Sequence, residues 1–208
     1  MNRRPIFYLA LGDSLTIGRG SRASADFVQL YQQWSEQSLK RQVVSEKFAK
    51  DGITSYAFKN SIETLPVIQQ IEQADIITLT LGGNDFRRAW KVFTKSKNYD
   101  VLRSALFSTT KNIADILNRI KVIKEKVGKP YIVRVVNLYN PVKVPIAEQV
   151  VNTFNNQLAH LQTDYVKVAN IYERFYGQKK QLLSIDGYHP NKYGYQVIAQ
   201  ALYELGYR

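Results

Sequence analysis

Five short strand-like runs, at residues 6–11, 43–49, 76–81, 131–136 and 165–168, are separated by stretches with helical periodicity. That alternation constrains the chain more than any other feature. Consecutive strands joined by helical crossovers lie parallel in one sheet, and the crossovers cover both of its faces. The 76–81 run, IITLTL, is the clearest strand, and the continuous apolar run at 6–11 reads as a buried one. Helical patterns are expected over 25–40, 64–73, 102–127, 146–161 and 193–205. Thr64 would cap the second, and Gly128 with Pro130 would stop the third. The 208 residues show no linker, repeat or low-complexity tract, so one domain spanning 1–208 is expected.

In open sheets of this kind ligands sit beyond the carboxyl ends of the strands. Polar clusters fall at those places. Gly12-Asp13-Ser14 follows the first run, Asp51-Gly52 the second and Gly82-Gly83-Asn84-Asp85 the third, while Asp186-Gly187-Tyr188-His189 precedes the last helical pattern. A serine hydroxyl becomes a useful nucleophile only beside a base, and the base needs a partner that fixes its tautomer. The chain has two histidines. His160 lies in a helical stretch and reads as solvated or structural. His189 stands three residues after Asp186, a spacing at which one tight turn supplies both base and orienter for Ser14. Donors for a developing oxyanion are available from the Ser14 N–H, from Gly52, whose lack of a side chain permits close approach, and from the Asn84 amide.

These four blocks, GDSL at 12–15, Gly52, GGND at 82–85 and DGYHPN at 186–191, resemble in content and order those of the GDSL, or SGNH, hydrolase family. The resemblance implies a three-layer α/β/α, flavodoxin-like sandwich with a five-stranded parallel sheet. It implies a lipase or esterase, lysophospholipase-like in the broad sense, that needs no cofactor. Ser14 would be the nucleophile, His189 the base and Asp186 its orienter, with Ser14, Gly52 and Asn84 forming the oxyanion hole. The same site could serve an acyltransferase or a carbohydrate acetyl esterase. Candidate substrate-binding residues are Asp13, Phe86 and Tyr188, with Trp90 and Tyr139 as further walls. One departure from the G-x-S-x-G elbow is Thr16, where a second glycine would otherwise relieve crowding around the serine.

The net charge of +12 favours anionic partners. Residues 86–97, FRRAWKVFTKSK, carry five cations interleaved with three aromatics. They read as a solvated loop or helix laid over the core, or as a segment that approaches the substrate or an anionic membrane surface. An anion-binding module without enzymatic activity is the alternative, with nucleic acid the least favoured partner. The absence of cysteine excludes disulfides and thiolate chemistry. With two histidines a metal centre is not expected. The N-terminal MNRRPIFYLAL is too short and lacks a cleavage site for a signal peptide, so the chain as given reads as cytoplasmic, with an upstream export signal or anchor left open.

Overall fold

The computed structural model describes residues 4–142 and 144–207. Five strands, β1 (Ile6–Gly12), β2 (Val43–Ala49), β3 (Ile76–Thr80), β4 (Ile132–Val136) and β5 (Val166–Ala169), form one all-parallel sheet in the order β2-β1-β3-β4-β5. This is the flavodoxin-like three-layer arrangement expected from the sequence. The chain reverses its direction of travel across the sheet between β1 and β3. Their carboxyl ends therefore flank the crevice in which such folds place ligands.

Every residue of β3 and β4 is buried, which accounts for their lack of polar alternation. Side chains alternate between two cores. Leu9, Leu11, Ile77, Leu79, Val133 and Val135 face α3 (Ser55–Ser61), α4 (Leu65–Gln73), α5 (Gly83–Ser96), α6 (Asp100–Val127) and α7 (Pro145–Ala159). Tyr8, Ala10, Ile76, Ile132 and Val136 face α2 (Phe27–Leu39) and α10 (Lys192–Glu204) on the other side. Short helices α1 (Ser14–Ile17), α8 (Tyr172–Phe175) and α9 (Lys179–Leu182) complete the chain.

Three local features go beyond or against the sequence reading. Residues 86–96 belong to α5, a regular helix that Lys97 terminates. Phe86, Ala89 and Phe93 are buried at helical spacing, but the cations among and after them, Arg87, Arg88, Lys91, Lys95 and Lys97, mask the period in the sequence. With Phe86 and Phe93 in the core, those rings cannot act as a stacking platform for bases. Thr64 stands at the N-cap position of α4 but its hydroxyl donates back to the Ser61 carbonyl instead of capping. Asp51 and Gly52 form a turn, and α3, for which the sequence reading offers no helix, follows at Ser55. Gly128 ends α6 with a positive φ, as expected. No helix among the described residues is long and apolar enough to cross a membrane.

Candidate active site

The turn after β1 solves a packing problem. At Gly12 φ is +150°, and a Cβ there would stand 2.2 Å from Thr80 Oγ1. Only glycine lets the chain pass so close to the end of β3. Thr16, where a G-x-S-x-G elbow has glycine, is buried. Its hydroxyl stands 3.1 Å from the Leu11 carbonyl oxygen and 2.8 Å from the Thr80 hydroxyl. Room is thus made two residues before Ser14, with Thr16 as a polar strut beneath it. Asp13 caps α1: its Oδ1 accepts from Leu15 N at 3.0 Å and from Thr80 Oγ1 at 3.0 Å. Ser14 opens the helix, so its own N–H has no intrahelical acceptor.

A tight loop brings the fourth block to the same edge. Leu183 and Pro190 form an isolated bridge, Ser184 N donates to His189 O, and Asn191 both caps α10 and donates to Gln181 and Leu183 carbonyls. Within this frame Asp186 Oδ1 accepts from Ser184 Oγ, Tyr188 N and His189 N at 2.8–2.9 Å. The other oxygen, Oδ2, meets His189 Nδ1 at 2.5 Å. On the far side of the ring, His189 Nε2 stands 3.0 Å from Ser14 Oγ. Partial burial raises the Asp186 carboxyl, but these hydrogen bonds, led by the one with the His189 ring, outweigh it and hold the group well below the usual carboxylate range. Ser184 is a member of this cluster that sequence reasoning missed; a serine two residues before the aspartate is its only trace.

The loop after β2 is tied to the start of α5. Asn84 donates from Nδ2 to Ile53 O at 3.1 Å, and Arg88 donates to Gly52 O at 3.3 Å. Asp85 accepts from both the N–H and the hydroxyl of Ser55, the first residue of α3, and Asn112 donates to the same hydroxyl. Lys50 N also donates to Gly12 O, which draws the Gly52 loop alongside the Ser14 turn. With φ at +71° and open space where a Cβ would go, Gly52 is required by backbone conformation and not by crowding. The Asn84 amide has two N–H donors, so its bond to Ile53 fixes its orientation and leaves the second free to serve another acceptor.

Ser14, His189 and Asn84 line one hollow of about 130 Å³, together with Asp13, Phe86, Tyr139 and Tyr188. Gly52 is not among its walls. Tyr188 is half exposed, with the Arg87 guanidinium 5.6 Å from its ring centre, and the Tyr139 hydroxyl donates to the Tyr188 carbonyl. Phe86 packs edge-on against Phe154. Trp90 lies further along α5, outside the hollow. Asp13 is 3% exposed and its contacts are those of a helix cap. His160 is exposed at the end of α7, remote in sequence and element from this cluster.

Asp13 carries a testable electrostatic load. Burial pushes its carboxyl up to about 6, against the opposing pull of the Leu15 and Thr80 hydrogen bonds and the field of His189. The folded protein therefore holds this proton more tightly than the unfolded chain does. Its stabilising contribution is complete below the unfolded value of ~3.9 and is lost as pH rises through the folded one. Asp13→Asn keeps an oxygen for Leu15 and Thr80 but cannot ionise. Relative to the parent, it should gain stability between about pH 4 and about pH 8, by up to about 3 kcal/mol. Thermal melts across that range check this, and a constant offset would remove the buried charge from the account.

The assembled geometry places a hydroxyl, an imidazole and a carboxylate in series, with amide donors nearby, an arrangement suited to acyl transfer. Comparison with known proteins agrees. The pattern of the GDSL-like lipase/acylhydrolase family matches residues 10–197. The spore germination lipase LipC of Bacillus licheniformis is 34% identical over 203 residues, covering 96% of each chain. The crystal structure of the lipase Lip_vut3 from a goat rumen metagenome superposes with a TM-score of 0.94 at 34% identity, covering 97% of this chain and 98% of that one. Axe2, an acetylxylan esterase from Geobacillus stearothermophilus, shares the fold at 15% identity with a TM-score of 0.69, covering 100% of this chain and 98% of that one. This chain belongs to the GDSL-like lipase/acylhydrolase family and is a carboxylic ester hydrolase.

Proposed function

We propose that the protein, acting as one domain, hydrolyses carboxylic esters through Ser14, His189 and Asp186. The observation that carries this reading is the pair of contacts on the two nitrogens of one imidazole: Ser14 Oγ at Nε2 and Asp186 Oδ2 at Nδ1. His189 takes the Ser14 proton as Oγ attacks the ester carbonyl. The carbonyl π pair moves onto oxygen, giving a tetrahedral oxyanion. Collapse of that intermediate expels the alcohol, which receives the proton from His189, and leaves an acyl group on Ser14. Water, deprotonated by the same imidazole, then releases the acid. Asp186 holds the ring with Nδ1 as donor and stabilises the imidazolium that forms twice per cycle.

The oxyanion is met by the Ser14 N–H, the Asn84 side-chain amide and the Gly52 N–H. The bonds that tie the Gly52 loop to Gly12 and to Asn84 support this grouping. Preorganised donors of this kind act on charge that develops in the transition state. Asn84→Ala should lower kcat by roughly 10²–10³ with little change in KM. Steady-state kinetics on a soluble nitrophenyl ester measure it. A raised KM with kcat preserved would make Asn84 a substrate contact instead. The nucleophile assignment is tested with a fluorophosphonate, which should label Ser14 alone; labelling of another serine, or none, would overturn it.

A further inference from the structure

Resting on the reading of Ser14 as nucleophile, we propose that the acyl chain leaves the site along an apolar groove between α5 and α7. Its far walls, on this proposal, set a preference for acyl groups of about eight carbons. The hollow over Ser14 does not end at its own boundary. Phe86, Arg87, Pro141, Val151 and Tyr188 line it and also line a second cavity of about 180 Å³. The two cavities adjoin across these shared walls, and on this proposal they form one groove with Ser14 at one end. Beyond the shared walls the lining is Trp90 from α5, Leu102 from α6, and Ala147 and Val150 from α7. Leu102, Ala147 and Val150 are all at least nine-tenths buried, so this wall is continuous with the core.

Such a lining suits a hydrocarbon. A sugar ring would need several hydrogen-bond partners, whereas the far half is apolar apart from Asn140 and Lys91. An acetyl group would not reach it. The length follows from helix geometry. From Phe86 to Trp90, and from Val151 back to Ala147, each wall advances by one turn, about 6 Å, which is room for about four or five methylenes past the hollow. With about three or four carbons held over Ser14, the groove fits an octanoyl-sized chain. It is also held open in advance. Asn155 grips both the N–H and the carbonyl of Leu138 at 3.0 and 2.8 Å, and Asn140 Oδ1 accepts from Val142 N, which fixes the loop that forms the rim.

The test is kcat/KM for a series of nitrophenyl esters from acetate to dodecanoate, on the parent protein and on two variants whose folding is checked by melting. For the parent, kcat/KM should rise about fourfold per methylene up to about eight carbons, the equivalent of about 0.8 kcal/mol for each buried CH₂, and then fall. Ala147→Phe fills the far half and should lower the octanoate-to-acetate ratio about 50-fold or more. Trp90→Ala removes a wall and should move the optimum to longer chains. A flat series, a preference for acetate in the parent, or an unchanged ratio in a folded variant would overturn the groove. Should both variants fail to fold, the parent series alone decides. Failure of the underlying reading looks different: no ester of any length is cleaved and the fluorophosphonate leaves Ser14 unlabelled.

Discussion

Ser14→Ala should lower kcat on a soluble nitrophenyl ester by about 10⁶, to the level left by binding and the oxyanion donors alone, while the protein folds as before. The size of the loss follows from the chemistry. Without Oγ no acyl-enzyme forms, and His189 has no proton to move in the first step. The stability expectation follows from the contacts. The Ser14 side chain touches the site through one hydrogen bond, to the partly exposed His189 ring. A bond of that kind is worth about 1 kcal/mol net. The cap on α1 comes from Asp13 and the close approach to β3 from Gly12, so neither depends on the Ser14 hydroxyl. Activity and melting curves on the same preparation read both effects. Near-normal turnover with an unchanged melt would remove Ser14 from the mechanism. A large fall in melting temperature would show that the loss of activity reports packing.

What made the site legible was that its residues are local in sequence even though they converge from four places. Each block follows a strand or precedes a helix, and a parallel sheet delivers all such junctions to one edge. The tight turn between Ser184 and Pro190 contains both His189 and Asp186, so their contact could be read from spacing alone. The strands were legible because β3 and β4 are buried throughout and aliphatic apart from the threonines of β3 and Arg134 of β4. Other features depended on long-range packing that no local pattern encodes. Residues 86–97 concealed a helix because its cations point outward among and after the buried Phe86, Ala89 and Phe93. Asp85 belongs to the GGND block, but its work is to anchor α3 through Ser55, a residue about thirty positions earlier in the chain. Thr16 looked like an obstruction and is a strut, because Thr80 arrives beside it from another strand. Most groove walls come from three helices, and of the lining only Phe86, Trp90 and Tyr188 were within reach of sequence reasoning.

His189→Ala should cost about as much as Ser14→Ala, roughly 10⁶, because nucleophile and base act as a unit. Asp186→Asn should cost less, about 10⁴, and for a specific reason. The two carboxylate oxygens have separate tasks. Oδ1 accepts three hydrogen bonds, from Ser184, Tyr188 and His189, which shape the loop. Oδ2 faces Nδ1 of the ring. An asparagine that keeps its oxygen in the first position preserves the loop but turns an N–H toward Nδ1. The imidazole then carries its proton on Nε2, pointed at Ser14, and cannot accept the serine proton. Asp186→Ala removes the loop acceptor as well, so it should lose stability that Asp186→Asn retains. In the parent the depressed carboxyl remains ionised far into acid. Its contribution to folding is fully present above the unfolded value of ~3.9 and is lost only as pH falls through the lower folded one. Three variants measured side by side, for kcat and for melting, separate these tasks. Equal losses of kcat for Asp186→Asn and His189→Ala with equal melts would mean that the carboxylate does more than fix the tautomer. A near-normal kcat in Asp186→Asn would leave Ser14 and His189 working as a pair, with Asp186 confined to the architecture of its loop.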